Sequence, residues 1–167
     1  MSHEHSPLPR AARRVAAALS ERGHAGAIRL LDDSARSAAE AAVALGVSQR
    51  QIVKSLIFRG ARSGAPILAL VAGTSRVDPQ LLEGHLGEPV ERADADWVRA
   101  QTGFAIGGVP PVGHGPGLRT VADSELAEIS QLWAAAGTPH AVFPLGGADL
   151  VSLTGAELAP IADRAGP

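Results

Sequence analysis

A chain of 167 residues with 46% hydrophobic content is sized for one compact domain with a core of its own. It contains no cysteine, which excludes disulfides, thiolate catalysis and Cys-based zinc sites, and its formal net charge of −2 weighs against the broad basic surface of a DNA-binding protein. No run of about 18 apolar residues occurs and the opening MSHEHSPLPR lacks an apolar signal core, so the expectation is a cytoplasmic protein without membrane association.

In chain order, residues 1–7 read as a flexible leader and 8–167 as a single domain. Pro9 to Gly23 is amphipathic, with Val15, Ala18 and Leu19 on one face, and predicts a first helix. AIRLL (27–31) is strand-like. In DDSARSAAEAAVALG, Ser37 and Glu40 have capping-box spacing and Gly46 stands where a helix ends, which predicts the second helix. VSQRQ adds a helical turn capped by Ser48. The apolar runs IVKSLIFR and PILALVAG, separated by GARSGA, predict two paired strands at the sheet centre.

Asp78 and Asp94 are N-cap candidates for helices in DPQLLEGHL and DADWVRAQ, the first with Pro79 at its opening position. Residues 103–117, GFAIGGVPPVGHGPG, are too rich in Gly and Pro for regular structure, yet Phe104, Ile106, Val109 and Val112 thread them; this predicts an ordered loop. LRTVAD and HAVFPL read as strands with SELAEISQLWAAAG helical between them, and ADLVSLTG as a last helix before a short tail. Strands and helices mix without a regular βαβ rhythm, so the expected fold is a mixed α/β sheet curled around a pocket with flanking helices.

Lys54 is the sharpest candidate for chemistry. It is the only lysine beside 14 arginines, and strand alternation puts Ile52, Leu56 and Phe58 on its face. A lysine so placed can snorkel to the sheet edge, and in a pocket it is a desolvated cation able to hold a phosphate or polarise a carbonyl; the two are not exclusive. Ser55 lies on the opposite face, so a Ser/Lys dyad is awkward. In GGVPPVG (107–113), consecutive glycines can aim N–H groups at a ligand oxygen while Pro110 and Pro111 stiffen the rest of the loop; an ordinary tight turn is the plain alternative. The spacing fits neither a Walker loop nor a dinucleotide fingerprint. His114 comes directly after the loop and His140 opens a strand, so either can line a pocket that those segments form. No HExxH or GxSxG occurs, and no metal or cofactor is expected.

These segments in this order, RSAAEAAVALGV, QIVKSLIFR, LALVAGTSRVD, ERADADWVRAQTGFAIGGVPPVGH and WAAAGTPHAVFPL with ADLVSLTG, resemble the YbaK/EbsC family of aminoacyl-tRNA deacylases. These are free-standing relatives of the editing domain inserted in bacterial prolyl-tRNA synthetases, and the resemblance runs over residues 10–162. It implies trans-editing, the hydrolysis of the ester joining a wrongly attached amino acid to a tRNA, with water attack assisted by the substrate's own ribose hydroxyl. The substrate it implies is tRNA-Pro carrying a small residue such as Ala, Cys, Ser or 2-aminobutyrate. Lys54 matches the family lysine, and Gly107 and Gly108 match its glycine loop; these are the expected catalytic groups. His140 lies near the pocket histidine of the synthetase-inserted relatives, and Ser55, Ile106, Val109, Pro110 and His114 complete the expected substrate-binding set. The implied partners are the aminoacylated acceptor end of tRNA and a prolyl-tRNA synthetase or another tRNA-delivering protein. The competing reading is a non-catalytic module of the same fold that binds a nucleotide or tRNA end; a third, a small-molecule hydrolase with His114 or His140 as base, lacks a visible nucleophile or metal partner.

Overall fold

Apolar residues at positions 12, 15, 18 and 19 recur at helical spacing. The computed structural model, which describes residues 8–163 except Gly26 and Pro116, buries all four along α1 (Arg10–Glu21). The expected leader at 1–7 lies outside the described residues. Local signals place the other helices as well. α2 (Ala38–Leu45) opens at Ser37, whose hydroxyl accepts the Glu40 N–H, and closes at Gly46 in the left-handed conformation, φ 69°. The Glu40 carboxylate reaches the N–H of Arg36, one residue before the cap. Ser48 and Gln51 cap the short 3-10 turn Gln49–Gln51. α3 (Pro79–Leu86) and α4 (Ala95–Thr102) begin at Asp78 and Asp94, whose carboxylates accept first-turn N–H groups. α5 (Leu150–Thr154) comes after the 3-10 turn Gly147–Asp149.

The fold is mixed α/β. β2 (Val53–Gly60) and β3 (Pro66–Ala72) form the expected hairpin. β5 (Val90–Arg92) pairs antiparallel with β2 on its other side, while β6 (Arg119–Asp123) and β9 (Glu157–Ala159) add parallel strands beyond β3, giving the order β5-β2-β3-β6-β9. A second, antiparallel sheet has the order β1-β8-β7, from β1 (Arg29–Leu30), β7 (Leu132–Ala135) and β8 (Ala141–Leu145); its Trp133 bridges to Ile52, the residue before β2. β4 (Arg76–Val77) and β10 (Ala162–Asp163) pair separately.

Two faces of the main sheet bury two cores. Val53, Leu68, Leu70, Ala72 and Ala122 face the larger one, which α1, Phe104 and the β7–β8 hairpin complete. Ala69, Val71 and Val121 face a smaller one, against Leu82 of α3 and Ile161. In an antiparallel pair the side chains alternate, so Lys54 opposite Val71 projects on the smaller-core side and Ser55 opposite Leu70 on the larger-core side.

Two expectations fail: the last helix is not the end of regular structure, because β9 and β10 come after it and β9 joins the main sheet, and 124–137 is not a helix. Ser124–Glu128 is a 3-10 turn, and Leu132–Ala135 is the strand β7. The alanines favour a helix by only a few tenths of a kcal/mol each, whereas the alternating burial of Leu132 and Ala134 places both in the larger core; tertiary packing prevails. His140 accordingly stands in the turn before β8 instead of opening it. β4, β5, β9 and β10, each two or three residues long, are too short to leave an alternation pattern. Among the described residues no helix is long and apolar enough to cross a membrane.

Asp123, fully buried at the end of β6, accepts the N–H groups of Ile161 (3.0 Å) and Ala162 (3.3 Å) and so ties the last strands to the sheet. Replacing it with Ala leaves two buried donors without that acceptor. The expected loss is about 2 kcal/mol, measurable by urea denaturation; an unchanged unfolding midpoint would remove Asp123 from this role.

Candidate active site

β3 covers β2 along its length, but on the other side β5 reaches only Phe58–Gly60 and β7 only Ile52. Gly60 N–H donates across the hairpin to Ala65, and Ala61 N–H to Pro89 on the β5 side. Alternation along the ladder then turns the main chain of Ser55 to the uncovered edge, with no strand opposite it. A groove opens there in two connected parts. The inner part, about 270 Å³, lies between β2, α2 and the β7–β8 hairpin and is lined mostly by small apolar residues such as Ala38, Ala41, Ala134 and Ala141. The outer part, about 690 Å³, is bordered by Arg76, Glu91 and Arg92. Lys54, Ser55, Leu56, Ile106, Gly107 and Val109 line both.

Lys54 is half-buried, and its ammonium donates to the main-chain carbonyl of Ser75. Burial, with the nearby Arg76 charge, lowers its pKa from the usual lysine range. The cation is therefore partly stripped of water and already oriented. Gly107 lines the same groove, with φ +90° and open space where a Cβ would stand, and its N–H has no hydrogen-bond partner among the described residues. Gly108 differs. Its N–H donates to Ala105 (3.0 Å), so the expected second donor is already engaged. A Cβ on Gly108 would stand 2.7 Å from the Gly137 carbonyl oxygen, and one on Gly137 would stand 2.8 Å from the main chain of Ala11. Three backbone segments thus stack with no side chain between them.

The loop is also clamped from outside. Arg14 stacks over Phe104, 4.7 Å from the ring centroid, and its guanidinium reaches the carbonyls of Gly103 (3.5 Å) and Gly113 (3.4 Å), the two ends of the glycine segment. Pro110 is buried beneath it. Of the remaining expected residues, Ser55, Ile106 and Val109 line the groove with Lys54, whereas His114 and His140 are not among its lining residues; Thr138 and Pro139 stand there beside His140, whose own side is exposed. Sequence reasoning missed Ser75 and Arg76, which stand beside Lys54, and Trp133, whose indole N–H is buried without a partner among the described residues and whose residue lines the inner part. The erroneous helix had hidden Trp133; strand alternation in LWAA was the signal that could have found it.

Two measurements check this layout. Gly108→Ala must push into Gly137 and Thr138, an overpacking cost of about 1–3 kcal/mol, so its thermal midpoint should fall further than that of Gly107→Ala; the opposite order would contradict the close stack. His114 has its imidazole pKa lowered, chiefly by burial. Unfolded chains take up a proton near the ordinary histidine value while the folded protein stays neutral, so stability should decline as pH falls from about 7 through that value towards the lower folded one. The decline between pH 7 and 5 should be smaller in His114→Gln, and an equal decline in thermal melts would exclude the histidine as its source.

Comparison with known proteins supplies the family. Residues 32–153 match the model of the aminoacyl-tRNA editing domain. Proline--tRNA ligase of Streptococcus equi subsp. equi is 33% identical over 98 residues, 58% of this chain but 16% of that protein; the chain thus spans about one sixth of such ligases. A candidate Cys-tRNA(Pro)/Cys-tRNA(Cys) deacylase of Enterococcus faecalis, EbsC, is 28% identical over 129 residues, covering 77% of this chain and 78% of the relative. A crystal structure of a candidate trans-editing enzyme for prolyl tRNA synthetase superposes with a TM-score of 0.88 at 43% identity, covering 94% of this chain and 99% of the other. The chain belongs to the aminoacyl-tRNA editing domain family.

Proposed function

We propose that the protein is a trans-editing aminoacyl-tRNA deacylase whose groove receives the 3′ end of a mischarged tRNA and hydrolyses its aminoacyl ester. The observation that carries this reading is the convergence of a half-buried ammonium, Lys54, with the glycine loop at Gly107 and the open main chain of Ser55 on one groove, in a chain of the editing-domain family. The small inner part takes the amino acid. The outer part, where Arg76 and Arg92 stand with Lys54, takes the terminal nucleotide and its phosphate.

Ester hydrolysis builds negative charge on the carbonyl oxygen. The N–H groups of Gly107 and Ser55 are the donors for it, each worth on the order of 3 kcal/mol where such a donor is well aimed. Lys54 holds the phosphate or ribose, so that the ester sits against those donors; holding the reacting ends in register is itself a large part of the rate. Ile106 and Val109 pack against the bound end, and Pro110 stiffens the loop under it. Water attacks with the help of the substrate's ribose hydroxyl, and no protein nucleophile is required. A chain of net charge −2 grips the acceptor end alone, which suits delivery of tRNA-Pro by a prolyl-tRNA synthetase or another tRNA-binding protein. A hydrophobic pocket separates side chains that differ by one methylene by only about 1–3 kcal/mol, so several small residues, among them Ala, Ser, Cys and 2-aminobutyrate, fall within its range.

The experiment is deacylation of a panel of tRNAs mischarged with these residues. Wild type should hydrolyse at least one, and Lys54→Ala should lose on the order of 100-fold in kcat/KM. Absence of hydrolysis across the panel by folded wild type would sink the enzymatic reading, and retained binding of the tRNA end would then favour the non-catalytic one.

A further inference from the structure

We propose that Glu125 is a positioning residue for Lys54, acting through the main chain of Ser75. The Lys54 ammonium is held by the Ser75 carbonyl, so where that carbonyl points decides where the cation stands. Ser75 is buried, at 8% exposure, and is fixed from two sides: its N–H closes a turn on Ala72 (2.9 Å), and its hydroxyl donates to one carboxylate oxygen of Glu125 (3.4 Å). The other oxygen of Glu125 accepts from Arg50 (2.8 Å). Arg50 lies four residues before Lys54, in the 3-10 turn that leads into β2. The contacts therefore close a ring from Lys54 through Ser75, Glu125 and Arg50 back along the chain to Lys54. The neighbouring Gln49 amide reinforces it by donating to the Gly73 carbonyl (2.9 Å).

The ring has an electrostatic side. The charged groups about Lys54 are Arg76, next to Ser75; Glu91 and Arg92 on β5, across the outer part of the groove; Arg36 on the inner part; and Glu125 with Arg50 behind Ser75. Burial and Arg76 both disfavour the ammonium. The Ser75 carbonyl that accepts from the ammonium, with the Glu125 carboxylate behind it, acts in the opposite sense. One of three ammonium donors is used by Ser75, and the other two, without a partner among the described residues, can serve a phosphate or ribose oxygen. The role in turnover rests on the deacylase reading above, but the role in holding Lys54 does not.

Lys54 is the only lysine, so lysine labelled with carbon-13 at the ε position gives a single side-chain resonance whose titration reads this group alone. In Glu125→Gln that titration should move to lower pH. Deacylation kcat/KM should fall on the order of tenfold, with the alkaline limb of its pH profile displaced the same way. In a Lys54→Ala background the same substitution should cost less than about twofold. An unmoved lysine titration would overturn the proposal, and so would an equal loss of activity with and without Lys54. Should Glu125→Gln fail to fold, Ser75→Ala removes only the hydroxyl link and should move the titration in the same direction; no movement there overturns the proposal too. A wild type inactive on every mischarged tRNA would defeat the deacylase reading, while the resonance would still decide the part played by Glu125.

Discussion

Along β2 the ladder to β3 is continuous, while on the far side a three-residue strand and a single bridge leave a gap at Ser55. Unsatisfied main-chain groups at a sheet edge invite a partner, and here the gap is flanked by Lys54, Gly107 and Val109. The groove exists because β5 stops short and the second sheet is bridged only to Ile52, the residue before β2. The rest of the site depends on that shortfall. Lys54 and Ser55 are consecutive residues of one strand, so a side chain from one face and a main chain from the edge reach the same space without any special loop to bring them together.

The glycine segment opposite them is irregular but closely held. Arg14 clamps its two ends and stacks on Phe104, while Gly108 lies directly on the β7–β8 turn. The two glycines of the pair thus have different work. Gly107 needs its conformation and its open side, and Gly108 needs the absence of a side chain. Under the proposed function, a loop that presents an N–H at a fixed place gains by having its neighbour immobilised.

Local signals in the sequence were enough for the helices α2, α3 and α4, because Ser37, Asp78 and Asp94 act on N–H groups within three residues of themselves. The β2–β3 hairpin was equally legible from its two apolar runs, and with it the position of Lys54. Long-range facts were not. The stretch QLWAAAG looks helical until the core partners of Leu132 and Ala134 are known, and with it went Trp133. Nothing in the neighbourhood of Ser75 or Glu125 announces that a hydroxyl and a carboxylate from segments 50 residues apart meet behind Lys54. The glycine pair is visible in the sequence, but the difference between its two members depends on Ala105 and Gly137, which no local pattern connects.

The stack of Ala11, Gly137 and Gly108 has a mechanical consequence. Contacts between side chains absorb small displacements by changing rotamer, but main chain resting on main chain has no torsion to spare. A displacement of the first helix would therefore bear directly on the hairpin turn and, through it, on the loop. The placement of Gly107 is calibrated by a helix that contributes none of the groove's lining residues, and insertions or deletions in any of the three segments would throw it out of register.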